Sequence, residues 1–198
     1  MNRLTINQIT WSISGRRPQL LPPSELIRSA VALVLKDGDL GPEALFILRA
    51  KDERDPWSGN IGFPGGRVEK DDHSPRMTAE REAREETGLV LEPADYLGQM
   101  DDIAGAHLPV LVSCFVYLLP GSPPLTLNHE IKRAFWLPLA SLLEPHRHSM
   151  AEVVFGGERF VRPTLTILDH GEPLLWGITY RLVAQFLEHV GQSLCEPA

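Results

Sequence analysis

The stretch "GGRVEKDDHSPRMTAEREAREETGL" (65–89) decides how the chain is read. Ser74 followed by Pro75 is a helix-start signal, an oxygen cap and then a proline in the first turn, and Gly88 suits a C-terminal cap. These predict a helix over 75–87. On it Glu82, Glu85 and Glu86 are related as i, i+3 and i+4, so three carboxylates crowd one face although like charges at that spacing repel. Hard oxygen ligands packed in this way suit Mg²⁺ or Mn²⁺. Arg81 can pair with Glu85 at i+4 and hold its rotamer.

Glu and Arg on a helix also form ordinary solvated, salt-bridged faces, and "REAREE" alone favours that reading. The preceding "FPGG" (63–66) shifts the balance. A glycine pair lets backbone approach a ligand closely and can offer a carbonyl to a metal, so loop and helix together form a candidate diphosphate cradle.

Outward from this centre, "IRSAVALVL" (27–35) and "EALFILRA" (43–50) flank "KDGDLGP" as a strand pair, and a further strand is expected near Gly62 and Phe63. "YLGQMDDI" (96–103) and "VLVSCFVYLL" (110–119) follow, the second a buried strand by its length and β-branched content. "AFWLPLASLLEP" (134–145) reads as a strand turning into a short helix. "AEVVFGGERFVRPTLTI" (151–167) reads as a hairpin about Gly156-Gly157, and "LLWGITYRLVAQFLEHV" (174–190) as a closing helix. Strands outnumber helices, and the helices fall between and after them. The expected class is α+β in three layers.

The domain itself is expected over 24–192, after a proline-marked lead-in (1–23) and before a short tail (193–198). Nothing in the composition of the lead-in says whether it packs on the domain, swaps to a partner or stays mobile. At 198 residues, 43% apolar, the chain has material for one core. A net charge of -7 argues against broad binding to nucleic acid or acidic lipid, which is built from clustered Lys and Arg. Two cysteines, Cys114 and Cys195, form neither a disulfide framework nor a CxxC knuckle, and no segment reaches the ~20 apolar residues of a membrane span. The expectation is a cytoplasmic protein with no membrane or nucleic-acid partner.

Taken together, Gly66, Asp72, Arg81, Glu82, Ala83, Glu85, Glu86, Gly88 and Leu89 resemble the Nudix box. Asp72 stands where that family usually has Glu, and eight residues rather than seven separate it from Arg81. This variant is similar to the coenzyme A diphosphatase-like branch. "LFILRAKDERDPWSGNIGFPGG" (45–66) resembles that branch's upstream signature through Leu45, Arg49, Ala50, Arg54, Gly59, Phe63, Pro64, Gly65 and Gly66, with four residues instead of three between Arg54 and Gly59.

The resemblance implies a Nudix-type α/β/α sandwich around a mixed β-sheet, and hydrolysis of a nucleoside diphosphate linked to another moiety. Coenzyme A or its acyl derivatives are the favoured small-molecule substrate; ADP-ribose, a nucleotide sugar or a nucleoside triphosphate is the alternative, and a non-catalytic nucleotide sensor the reading from another class. By the same resemblance, Glu82, Glu85, Glu86 and the Gly65 carbonyl would hold Mg²⁺ or Mn²⁺, with Arg81 orienting the carboxylates. Glu82 is the first candidate for general base and Glu130, in "NHEIK", the later-loop candidate. Arg49, Arg54 and Gly66 would meet the substrate, guanidinium groups binding phosphate in bidentate fashion. Homodimers are frequent in that family. Three residues stay open between site and structure: Glu69, and the Asp101-Asp102 pair, which suits a turn as well as a site edge.

Overall fold

The computed structural model describes residues 4–22, 25–52, 57–92, 94–106, 108–169 and 171–196. Strand β1 (Ile27–Gly38) turns back into β2 (Gly41–Arg49), and β1 lies parallel to β7 (Val110–Leu118) along its whole first part, from Ile27↔Val110 to Leu35↔Leu118. The remaining pairings are antiparallel. β8 (Ile131–Pro138) runs along β2, while β5 (Asp95–Gln99) and β6 (Ile103–Ala104) run along β7. The sheet is therefore mixed, with eight strands among the described residues.

β1 and β2 stay paired only from Leu35↔Ala44 to Gly38↔Gly41, and then part. Into the gap go the two short strands of the glycine segment, β3 (Ile61–Gly62) against Ile47 and Leu48 of β2, and β4 (Gly65–Arg67) against Ser29, Ala30 and Val31 of β1. The other edges of both long strands are already taken by β7 and β8, so "FPGG" has only this opening to enter. The Ala32 N–H donates to the Pro64 carbonyl at 2.8 Å and anchors the wedge at its bend.

The central strands read as continuous apolar runs because both faces are covered. Ala30, Ala32 and Val34 of β1, Leu45 of β2, and Phe115 and Tyr117 of β7 face helix α2 (Pro75–Thr87), whose Ala79 and Ala83 allow close approach. Leu33, Leu35, Phe46, Val112, Cys114 and Val116 face the opposite layer, made by α1 (Ile6–Ser14) and α3 (Gly177–His189). The expected three-layer α+β order is the one found. No helix among the described residues is long and apolar enough to cross a membrane.

The expected ends of α2 are present: Ser74 Oγ accepts from the Met77 N–H at 3.3 Å, and Gly88, at φ 73°, lets its own N–H reach the Arg84 carbonyl at 2.9 Å. The Gly156-Gly157 hairpin is also present, with φ of 59° and 82° between β9 (His148–Phe155) and β10 (Glu158–Leu165). Those positive values at both turn positions are what a two-residue hairpin of this twist requires. The predicted strand running into a short helix is β8 followed by a 3₁₀ turn at Leu139–Leu143.

Helix α1 was not foreseen, although its signal stands in the sequence. Thr5 and Gln8 form a capping box, with the Gln8 N–H donating to Thr5 Oγ1 at 3.3 Å and the Thr5 N–H to Gln8 Oε1 at 3.0 Å. Ile9 and Ile13, at i and i+4, are both buried in the core beneath it. The segment after α1 is held by the two aspartates. Asp101 accepts from Arg16 at 2.8 Å and from the Gln19 N–H at 2.7 Å; Asp102 accepts from the Leu21 N–H at 3.1 Å and Ser113 Oγ at 2.7 Å. Asp101 and Asp102 therefore serve the lead-in rather than the carboxylate face.

Truncating Ile13 to Ala removes a fully buried side chain and should cost about 2–5 kcal/mol in urea unfolding. Trp11→Ala, on the same helix but 83% exposed, should change stability by only about 0.5 kcal/mol. Equal effects would show that α1 does not pack as described.

Candidate active site

The wedge and α2 meet because two glycines leave room. A Cβ on Gly65 would clash with the Ala30 carbonyl and lie 2.7 Å from Val31 Cα, and one on Gly66 would clash with the Glu82 carboxylate, 2.6 Å from its Cδ. A side chain at Gly65 pushes β4 off β1, whereas one at Gly66 must displace the Glu82 carboxylate.

At this junction Glu86 is buried, 1% exposed, yet carries a carboxylate. Its Oε1 accepts from Arg49 Nη1 at 2.7 Å and its Oε2 from the Gly65 N–H at 2.9 Å. Burial pushes its pKa up to about 7 against the pull of both donors, and the nearby Glu82 adds to the rise. Glu82 is shifted upward too, chiefly by burial, with Glu85 and Glu130 adding repulsion and Arg81 opposing it. The carboxylates therefore sense one another, as the helical spacing predicts.

Arg81 spans this face. Its Nη1 donates to Glu82 at 2.8 Å and to Glu85 at 3.1 Å, while Nε and Nη2 grip both oxygens of Asp72 at 3.2 and 3.0 Å. Asp72 also accepts from Thr78 Oγ1 at 2.8 Å and from the Glu69 N–H at 3.0 Å. The hydrogen bonds from Arg81, foremost, hold the Asp72 carboxyl down at about 2. The shorter acid and the longer spacing to Arg81 thus close into a bidentate clamp. Glu69 supplies only its backbone there and its side chain stays exposed.

Glu130 reaches the same place by strand pairing. Its carbonyl accepts from the Ala50 N–H at 2.7 Å where β2 meets the start of β8, and its carboxylate lies 3.9 Å from Arg49 Nη2. Of the residues singled out in the sequence, Arg49, Gly65, Gly66, Arg81, Glu82, Glu85, Glu86 and Glu130 fall around one junction. Arg54 lies outside the described residues. Arg49, expected to meet phosphate, is engaged with Glu86 and Glu130.

Among the described residues no three His, Cys, Asp or Glu side chains form a ready-made metal cage. Guanidinium groups lie between the carboxylates instead. The donor set is nonetheless all carboxylate oxygen, partly buried and mutually repelling, which is the chemistry a hard divalent cation relieves.

The junction opens into a cleft of about 480 Å³, a size suited to a small molecule. Arg49, Gly65, Gly66 and Arg67 line one part, and Trp57, Phe63, Leu108 and Ile178 another. Arg67 and Thr179 were not anticipated; Arg67 directly follows the glycine pair, whereas Thr179 comes from α3 and carries no local signal.

A mixed sheet between helical layers, split by a glycine wedge that meets a glutamate-rich helix, defines the class. The NUDIX domain family matches residues 26–155, more than half of the chain, and the chain belongs to that family. It is 29% identical over 158 residues to the human mitochondrial coenzyme A diphosphatase NUDT8, covering 79% of this chain and 66% of that protein. With an uncharacterized Nudix hydrolase, NudL, of Salmonella newport it shares 26% identity over 193 residues, 96% of this chain and 97% of the other. A MutT/nudix family protein from Enterococcus faecalis has the same fold, with a TM-score of 0.56 at 17% identity over 96% of this chain and 71% of that one. Among the curated relatives are proteins of which the chain spans only 36%, 54% and 66%.

Because the folded pKa of Glu86 lies above its ordinary value of 4.5, the native state keeps a proton that the unfolded chain has lost. In metal-free protein stability should fall as pH rises from 4.5 to about 7, and Glu86→Gln should flatten that fall. Melting temperature against pH, for both proteins, checks it; a wild-type profile that rises over this range contradicts the burial of an ionisable Glu86.

Proposed function

We propose that this chain is a divalent-metal-dependent hydrolase of a nucleoside diphosphate linked to another moiety, with coenzyme A or acyl-coenzyme A as the favoured substrate. Its products would be adenosine 3',5'-bisphosphate and phosphopantetheine or its acyl form. The observation that carries the reading is the contact between the Gly65-Gly66 wedge that lines the cleft and Glu82 and Glu86 of α2, with Glu85 joined to Glu82 through Arg81. The name of the human relative, a coenzyme A diphosphatase, supports the substrate.

In this reading Glu82, Glu85, Glu86 and the Gly65 carbonyl would hold Mg²⁺ or Mn²⁺. The cation would neutralise diphosphate charge and acidify a bound water. Arg81, locked by Asp72, keeps Glu82 and Glu85 oriented. Glu82 takes the proton of the attacking water; Glu130, at the same junction, is the alternative base. Arg49, bonded to Glu86 in this structure, would meet the substrate's phosphate, Gly66, whose missing Cβ makes room for Glu82, would present its backbone to the diphosphate, and Arg54 is assigned to the same anionic half of the substrate.

Incubation with coenzyme A, acetyl-coenzyme A, ADP-ribose and nucleoside triphosphates, with Mg²⁺ or Mn²⁺, should release adenosine 3',5'-bisphosphate from the coenzyme A substrates, read by mass spectrometry. Glu86→Gln should lower turnover by orders of magnitude with its circular dichroism unchanged. Near-normal turnover in that variant would sink the metal-site assignment, and cleavage of ADP-ribose alone would replace the substrate.

A further inference from the structure

The cleft does not end at the wedge. A second cavity of about 180 Å³ adjoins the cleft, and the two share Trp57, Asn60, Ile61, Leu108, Ile178 and Thr179 as common walls. Part of the second cavity's wall comes from the β9–β10 hairpin, which carries none of the residues singled out in the sequence for the site. Phe155 there packs against Trp57 with ring centroids 5.5 Å apart and against Trp176 at 5.9 Å.

These rings do not form a slot for a planar base. Trp57 and Phe155 are inclined by 38°, and Phe155 and Trp176 by 77°, so they pack on one another rather than offering parallel faces. Asn60 Oδ1, on the common wall, already accepts from Trp176 Nε1 at 3.1 Å. What remains is a carbon-walled space open to the cleft, with its aromatic side chains only half-buried. Such a surface gains by covering hydrocarbon and offers little to a polar group.

We infer that this cavity is a subsite for an aliphatic chain carried on the non-nucleotide half of the substrate, reached from the diphosphate end of the same cleft. The inference rests on the reading of the cleft as a diphosphate site. Contrast between the two supports the orientation: Arg49, Arg67 and the glycine pair line only the cleft, and Phe155 and Trp176 only the second cavity, whose arginines, Arg162 and Arg181, donate to the Val161 and Ala104 carbonyls. A diphosphate with a hydrocarbon tail fits both ends at once, whereas a nucleoside triphosphate leaves the aromatic end wet.

The test is calorimetric binding of coenzyme A, hexanoyl-coenzyme A and decanoyl-coenzyme A to the full chain without metal, where no turnover competes. Affinity should climb along the series, by on the order of a hundredfold from the first to the last. Two variants away from the carboxylates probe the cavity. Phe155→Ala removes a wall, and Ala106→Trp, at an exposed lining position, puts bulk into the cavity without disturbing the core. Both should abolish the gain from the chain while leaving the affinity for unacylated coenzyme A within about twofold. A flat wild-type series, or a chain effect that survives Ala106→Trp, overturns the subsite. Hydrolysis of unacylated coenzyme A with Mg²⁺, assayed in parallel, separates the two ideas. Cleavage with a flat series rejects only the subsite; a steep series without cleavage keeps the subsite and rejects the hydrolase reading.

Discussion

The structure depends on one buried carboxyl group. Glu86 brings a carboxylate to a place where charge is costly, and it is tolerated because Arg49 from the end of β2 and the Gly65 N–H from β4 both donate to it. That contact ties α2, β2 and the wedge together at one point, and the wedge can reach it only because Gly65 and Gly66 carry no Cβ. A Cβ at Gly65 would push β4 off β1, and one at Gly66 would displace the Glu82 carboxylate.

The same junction is electrostatically unsatisfied. Burial raises Glu86 and Glu82, and the neighbouring carboxylates add to the rise. Arg81 relieves part of it, and the Asp72 clamp holds Arg81 in place to do so. Sites that bind cations commonly sacrifice stability in this way, since the apo state keeps a repulsion that ligand binding removes. The parting of β1 from β2 is the second half of the arrangement: it breaks the ladder between two central strands, fills the gap with short strands, and leaves a cleft beside the carboxylates.

Much of this was legible beforehand. The helix 75–87 could be read from its caps, and the carboxylate face from i, i+3, i+4 spacing, because both depend on residues within one or two turns of each other. The strands at 27–35 and 110–119 were legible as unbroken apolar runs, which central strands need when both faces are covered. Helix α1 was equally local in its signal, the Thr5–Gln8 capping box, but proline-rich surroundings obscured it. Asp101 and Asp102 were not legible, since a paired Asp at a strand end looks the same whether it turns the chain or receives a distant segment.

By itself the sequence determined most of the elements and the glutamate face, consequences of short-range periodicity and capping. Only the tertiary structure decided that Arg49 is spent on Glu86, that Asp72 exists to clamp Arg81, and that Glu130 arrives through the pairing of β2 with β8. It also decided that the β9–β10 hairpin lays Phe155 against Trp57 and Trp176 beside the cleft. These partners lie far apart along the chain, and nothing in the local pattern of one encodes the position of the other. They meet only when the sheet opens and the loops close over it.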